Sequence, residues 1–295
     1  MVHHANWARN AKRFRWWRSF NLSAISARSA SLRFLFSVIS QRRRRERRGC
    51  AEKILSSLLS APREPHAGSD SEGMFEYNRR MPRYLDVSTW ARRDLFEFFI
   101  GFDKPYFNIC TNADVTRLLR FLRHRPETSV TLAYHYFALR VANEIEPFKY
   151  RLRDGKVLVH DVIHGGTTVL QPNESFTFAY FNFDKDFDRF IVEAQRSVDF
   201  VKQGESAFDP RPADDAIHFT SLPWVSFTSF SHARNWKTED SVPKIAFGKF
   251  VKETDRVLLP ISVEVHHALV DGLHVGRFIT RLEEALANPE AFISP

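Results

Sequence analysis

The stretch that most constrains this chain is Val263-Glu264-Val265-His266-His267-Ala268-Leu269-Val270-Asp271-Gly272-Leu273-His274-Val275-Gly276-Arg277-Phe278. Ile261, Val263 and Val265 fall on alternate positions, the period of a strand with one apolar face. The strand runs into two histidines. Four residues after His267 an Asp271-Gly272 pair marks a turn, and apolar residues at helical spacing follow. A histidine at a strand end can carry a free ring nitrogen into a cavity, and imidazole titrates near neutral pH, which suits a general base. His267 is the candidate. Strand parity turns His266 to the opposite face, where a structural role is expected. His266, His267 and His274 find no fourth ligand at suitable spacing, so no metal is expected.

The formal charge of +8 suggests nucleic acid only until it is divided along the chain. Residues 1–80 hold 17 Lys and Arg against six acids, whereas the other 215 residues hold 26 against 29. The basicity belongs to the N-terminal part and says nothing about the partner of the rest. That part reads as a disordered extension and linker, with the run Arg42-Arg43-Arg44-Arg45-Glu46-Arg47-Arg48 and a Pro-, Gly- and Ser-rich segment from Ala61 to Gly73. A non-functional or disordered extension is the favoured reading; a start set too early, with Met74 or Met81 as the true one, would produce it. An Arg-rich targeting peptide and a basic arm are the alternatives; contact of residues 1–80 with nucleic acid or membrane is not expected. Two cysteines, Cys50 and Cys110, indicate no disulfide framework and a reducing, cytoplasmic setting. No apolar run is long enough to span a membrane.

Organised sequence occupies residues 81–295. The pattern predicts a helix from Trp90 to Phe99 capped by Ser88 or Thr89, a strand from Phe107 to Val115, and helices over 129–145 and 185–204. Asp154-Gly155 between two apolar runs predicts a hairpin. Strands are expected at 176–181, 217–220, 225–228, 244–252 and 256–265, and a last helix at about 274–287. Elements that mix without strict alternation of strand and helix predict an α/β or α+β domain, its sheet mixed and mostly antiparallel, with helices packed on it. The 28 phenylalanines predict aromatic-lined interiors.

A second run, His218 to Phe230, places Thr220 and Ser221 just before a Leu222-Pro223-Trp224 turn, the best source of a hydroxyl to stabilise an oxyanion. With the segments Trp90-x-Arg92-Arg93-x-x-Phe96-Glu97-Phe98, Glu174-x-Phe176, Leu222-Pro223-Trp224-Val225-x-Phe227-x-Ser229-Phe230 and Leu258-Leu259-Pro260-x-Ser262-Val263-x-Val265, the chain resembles the chloramphenicol acetyltransferase family over about 81–290. The resemblance implies an acetyl-CoA-dependent O-acetyltransferase acting on chloramphenicol, a homotrimer with each active site at a subunit interface, and acetyl-CoA as co-substrate. It implies His267 as general base, Asp271 paired with Arg92 to support the site, and Thr220 where the family carries its oxyanion-stabilising serine. It places Phe98, Phe176 and Phe230 in the acceptor pocket, and Phe250 against the adenine of CoA.

Three positions depart from the family pattern on the acceptor side. Phe99 replaces a pocket tyrosine, Ala246 a threonine that holds a water, and His232 a pocket leucine. A related acyltransferase with another small hydroxyl or amine acceptor is therefore the alternative, and a non-catalytic CoA-binding homologue the second.

Overall fold

Residues 83–203, 214–235, 238 and 240–293 are described by the computed structural model; the basic run, the linker and both candidate starts lie outside them. The hairpin appears where the turn chemistry put it. Strands β3 (Tyr150–Arg153) and β4 (Lys156–Val159) pair antiparallel, and Asp154 and Gly155 both take positive φ, 52° and 71°. Glycine reaches that conformation without cost, and Asp is among the side chains that tolerate it. A two-residue strand β1 (Arg83–Tyr84) adds to the far edge of β4, making a small sheet apart from the main one.

The larger sheet has seven strands. Its path runs β2 (Tyr106–Asp114), β10 (Val257–His266), β8 (Lys244–Phe247), β7 (Ala216–Ser221), β5 (His164–Leu170) and β6 (Phe176–Phe181), with β9 (Val251–Lys252) also on β10. Only β5–β7 and β7–β8 are parallel, so the sheet is mixed and mostly antiparallel as the sequence predicts. Phe219, Ile245 and Val263 lie in one row of the apolar face, all buried. Helix α3 (Val130–Glu144) packs there and buries ten of its 15 residues. Helices α4 (Phe187–Lys202) and α5 (Gly272–Ala287) have one apolar face each and pack beside it. Phe137, Phe148, Phe187, Phe190, Phe219, Phe247 and Phe278 are fully buried, the aromatic interior the composition predicts.

Three expectations need correction. Helix α1 spans Arg93–Ile100 and does not begin at Trp90. Asp86, not Ser88 or Thr89, caps a short 3-10 turn at Val87–Thr89, and Trp90 then turns extended and packs edge-on against Tyr150 at 5.6 Å. The run 225–228 is not a strand; Val225 closes the Leu-Pro-Trp turn by donating to the Leu222 carbonyl. The expected strand 244–252 breaks after Phe247. Opposite the break stands Pro260, whose carbonyl accepts from Gly248 while its nitrogen has no proton to return, so the ladder loses a bond there. Strand β5 and helix α2 (Thr116–Leu122) complete the scaffold, β5 without having been predicted. Among the described residues, no helix is long and apolar enough to cross a membrane.

Candidate active site

His267 follows the last residue of β10 and is held by its surroundings on all sides. Its backbone N–H donates to the Pro105 carbonyl at 2.7 Å, which ties the strand end to the entry of β2. The imidazole lies flat on Phe99, ring centres 3.8 Å apart and 9° from parallel, with Phe107 tilted against it at 4.6 Å. About a third of the side chain remains exposed. Nδ1 stands 3.6 Å from Oδ1 of Asp271, too long for a hydrogen bond, and has no other partner.

The turn after the histidines is gripped by Arg92. Its Nε donates to one oxygen of Asp271 at 2.8 Å and Nη2 to the other at 2.5 Å, a bidentate pair of planar groups. Nη1 donates to the carbonyls of Ala268 and Leu269, both at 3.0 Å, and Nη2 reaches that of His267 at 3.4 Å. These carbonyls lie in the turn after β10, outside the strand ladder, and the guanidinium satisfies them while it neutralises Asp271. Trp90 lies beneath it, with the guanidinium carbon 5.2 Å from the ring centre. His266 points the other way and is buried; its Nδ1 accepts from the Ala268 amide at 3.3 Å. Burial, aided by Arg234, pushes its pKa down to about 4, which keeps the ring neutral.

Thr220 is elsewhere. Register places it in one row with Ala246, Ser262 and Cys110, and the next row holds His218, Lys244, Glu264 and Asn108. This is the polar face of the sheet, whereas Phe107 lies on the apolar face beside Val265. Ser221, the neighbouring hydroxyl, faces the interior and pairs with the Tyr134 hydroxyl at 3.1 Å. Thr220 alone keeps its hydroxyl on the polar side.

Phe230 and His232 cross the same face. The Ser262 hydroxyl donates to the Phe230 carbonyl at 3.2 Å, and the His232 amide donates to Glu264 at 2.9 Å. The His232 ring is edge-on to Phe230 at 4.8 Å and nine-tenths buried; Nδ1 stands 3.8 Å from a Glu264 oxygen, and neither ring nitrogen is within hydrogen-bond distance of a partner. Beside it Arg234 and Glu264 form a buried ion pair at 2.7 Å, extended by Asp240 and Lys244. Burial alone would raise the Glu264 carboxyl, but the His232 donors and Arg234 outweigh it and hold the group at about 2. The pattern signals in the sequence pointed to neither Phe107 nor this ion pair. Glu264 could have been found, as an acid in the middle of an otherwise apolar strand.

The remaining predicted residues divide between these regions. Phe98 lies on α1 beside Phe99, ring centres 5.1 Å apart, and is 61% exposed. Phe176 starts β6, the edge strand opposite β2, and is 54% exposed. Ala246 is fully buried, and Phe250 follows the break after β8, half-buried against the core. No group of three metal-binding side chains occurs among the described residues.

A solved dihydrolipoamide acetyltransferase from Azotobacter vinelandii shares the mixed-sheet fold at a TM-score of 0.54, with 18% identity over 79% of this chain and 100% of that one, a likeness of fold alone. The family model described as "Chloramphenicol acetyltransferase" matches residues 81–283. Chloramphenicol acetyltransferase of Streptomyces acrimycini is 32% identical over 217 residues, 70% of this chain and 96% of that protein. Chloramphenicol acetyltransferase 3 of Escherichia coli is also 32% identical, over 68% of this chain and 94% of its own. A solved chloramphenicol acetyltransferase superposes with a TM-score of 0.64 at 28% identity, covering 70% of this chain and all of that one. The chain belongs to the chloramphenicol acetyltransferase family.

Proposed function

We propose that this protein transfers the acetyl group of acetyl-CoA to a hydroxyl of chloramphenicol, in the cytoplasm, with His267 as general base. The observation that carries the assignment is the His267 corner: a ring clamped between Phe99 and Phe107 on a turn held by Arg92 and Asp271. Nδ1 faces Asp271, which leaves Nε2 for the substrate. Nε2 takes the hydroxyl proton as the oxygen attacks the thioester carbonyl carbon. The oxyanion accepts a hydrogen bond from the Thr220 hydroxyl. As the C–O bond is completed and the C–S bond breaks, the imidazolium returns its proton to the departing sulfur. Arg92 and Asp271 hold the turn and exchange no proton.

The separation of Thr220 from His267 supports a site made by two copies. From the row of Ser262 to His267 is five residues, and Thr220 lies two strands across from Ser262. At ordinary strand rise and spacing Thr220 and His267 are roughly 19 Å apart, and on opposite faces. Thr220, Phe176, Phe230 and His232 of one chain would meet His267 and Phe99 of another, as a homotrimer provides. The exposed Phe98, Phe102, Phe176 and Trp224 are apolar surface suited to such burial. Sedimentation equilibrium tests this; a monomer at micromolar concentration that still turns over would defeat it.

The decisive assay is release of CoA thiol from acetyl-CoA with chloramphenicol present, using the full chain and its His267→Ala variant. No release with the drug at millimolar concentration would defeat the reading. A second reading, a different small hydroxyl or amine acceptor, is favoured by His232, whose unpaired nitrogens offer a polar partner, and by Phe99 and Ala246, which lack hydroxyls. The same thiol assay run over a panel of alcohols and amines separates the two.

A further inference from the structure

The N-terminus of α5 is closed by a histidine. Asp271 is the N-cap, and the third helical position, where a reciprocal cap usually carries Glu or Gln, is His274. The His274 amide donates to the Asp271 carbonyl at 3.0 Å, and the Asp271 amide donates back to Nδ1 of the His274 ring at 3.0 Å. That second bond needs a lone pair on Nδ1. If Nδ1 is protonated, one N–H faces another and the cap opens.

The cap is joined to the His267 turn through Arg92. The Asp271 carboxylate takes both ends of Arg92, and Arg92 holds the carbonyls of His267, Ala268 and Leu269. We propose that His274 is a positioning residue for His267: its neutral ring fixes Asp271, Asp271 fixes Arg92, Arg92 fixes the turn that carries the base, and a proton taken up at His274 releases that turn. The charged groups facing the His274 ring are Asp271 on the turn, Arg92 ahead of α1 and Arg277 on α5. Burial, then the two arginines, disfavour the charged ring, and Asp271 only partly opposes them, so the ring titrates below its ordinary value. Its neutral form is therefore held to lower pH than that of an ordinary histidine and is lost as the pH falls through the lowered value.

This inference rests on His267 being the base, and the test keeps the two apart. Thiol release is followed against pH in the full-length protein and in His274→Gln, His274→Ala and His267→Ala. The Gln carbonyl can accept from the Asp271 amide at any pH. The expectation is that wild-type kcat/KM falls on the acid side with the uptake of two protons, one of them at His274. His274→Gln should stay within about threefold of wild type at pH 8 and fall with one proton, and His274→Ala should lose about tenfold in kcat at pH 8 with KM little changed, the size of one lost cap. A Gln variant that keeps the two-proton fall, or an Ala variant equal to wild type at pH 8, overturns the positioning role while leaving the base assignment intact. Should the Ala variant fail to fold, the Gln profile decides alone. Turnover retained in His267→Ala overturns the base assignment and this inference together.

Discussion

The two sides of the sheet differ in how complete they are. At the end of β10 the His267 turn is finished within one chain: Arg92 satisfies three carbonyls and one carboxylate, and Phe99 and Phe107 set the ring. The polar face two strands away is unfinished. His218 and His232 have buried ring nitrogens without partners, and Phe176 and Trp224 lie open. The first region resembles a site already assembled; the second resembles half of one. The difference is physical: the His267 turn satisfies its polar groups within one chain, whereas the polar face leaves buried ring nitrogens and open aromatic rings that the same chain does not cover.

The largest effect expected on this contrast comes from His267→Ala. Turnover should fall by about 10²–10⁴ if the ring is the base, with the fold retained by circular dichroism, because the turn itself is held by Arg92 and not by the imidazole. Thr220→Ala should cost about 10²–10³ in kcat, the loss of one oxyanion donor. The informative experiment mixes the two. If each site takes His267 from one copy and Thr220 from another, hybrids of the two inactive variants recover activity at the sites that draw both intact residues; hybrids as inactive as their parents would place both residues in one chain's site.

Smaller effects test the polar face itself. Glu264→Gln leaves Arg234 buried against a neutral partner and should destabilise the fold by about 3 kcal/mol in urea unfolding. The same pair predicts the acid behaviour. The folded Glu264 group sits at about 2, below its unfolded value, so its contribution is complete above about pH 4.5 and disappears as the pH falls towards 2. Wild type should lose stability across that window and Glu264→Gln should lose less; parallel profiles would remove Glu264 from the account.

The smallest effect lies on the apolar side. His135 is fully buried, stacked on Phe219 at 4.4 Å, and neither ring nitrogen has a partner. Burial pushes its pKa to about 3, so stability is lost as the pH falls from the ordinary histidine value towards that figure. His135→Phe removes two unsatisfied polar atoms at similar volume and should stabilise by about 1–2 kcal/mol, seen as a rise of a few degrees in Tm. An unchanged or lower Tm would mean that the imidazole is satisfied by something other than protein atoms.

Much of this was legible in the chain. The alternation of Ile261, Val263 and Val265, the turn residues Asp154 and Gly155, and the periodicity of 130–144 and 272–287 are local properties, and local sterics and burial are enough to read them. The missed elements failed for non-local reasons. The strand predicted across 244–252 breaks because Pro260, on another strand, cannot donate to it. Strand β5 escaped notice because Gly165 and Gly166 interrupt the pattern; they are needed where the Phe181 and Tyr180 rings lie within 3 Å of where a Cβ would stand.

The candidate site divides along the same line. Sequence alone determined that the chain holds a strand running into His267, an acid four residues later and a helix beyond, since each depends on spacing along one segment. Spacing could not determine that Arg92, 179 residues before Asp271, would close on it; only the family resemblance implied that pair, because the pairing depends on how α1 meets β10. Nor could spacing reveal that Thr220 and His267 stand on opposite faces. Side-chain parity and strand order set that, and strand order is decided only when the whole sheet packs.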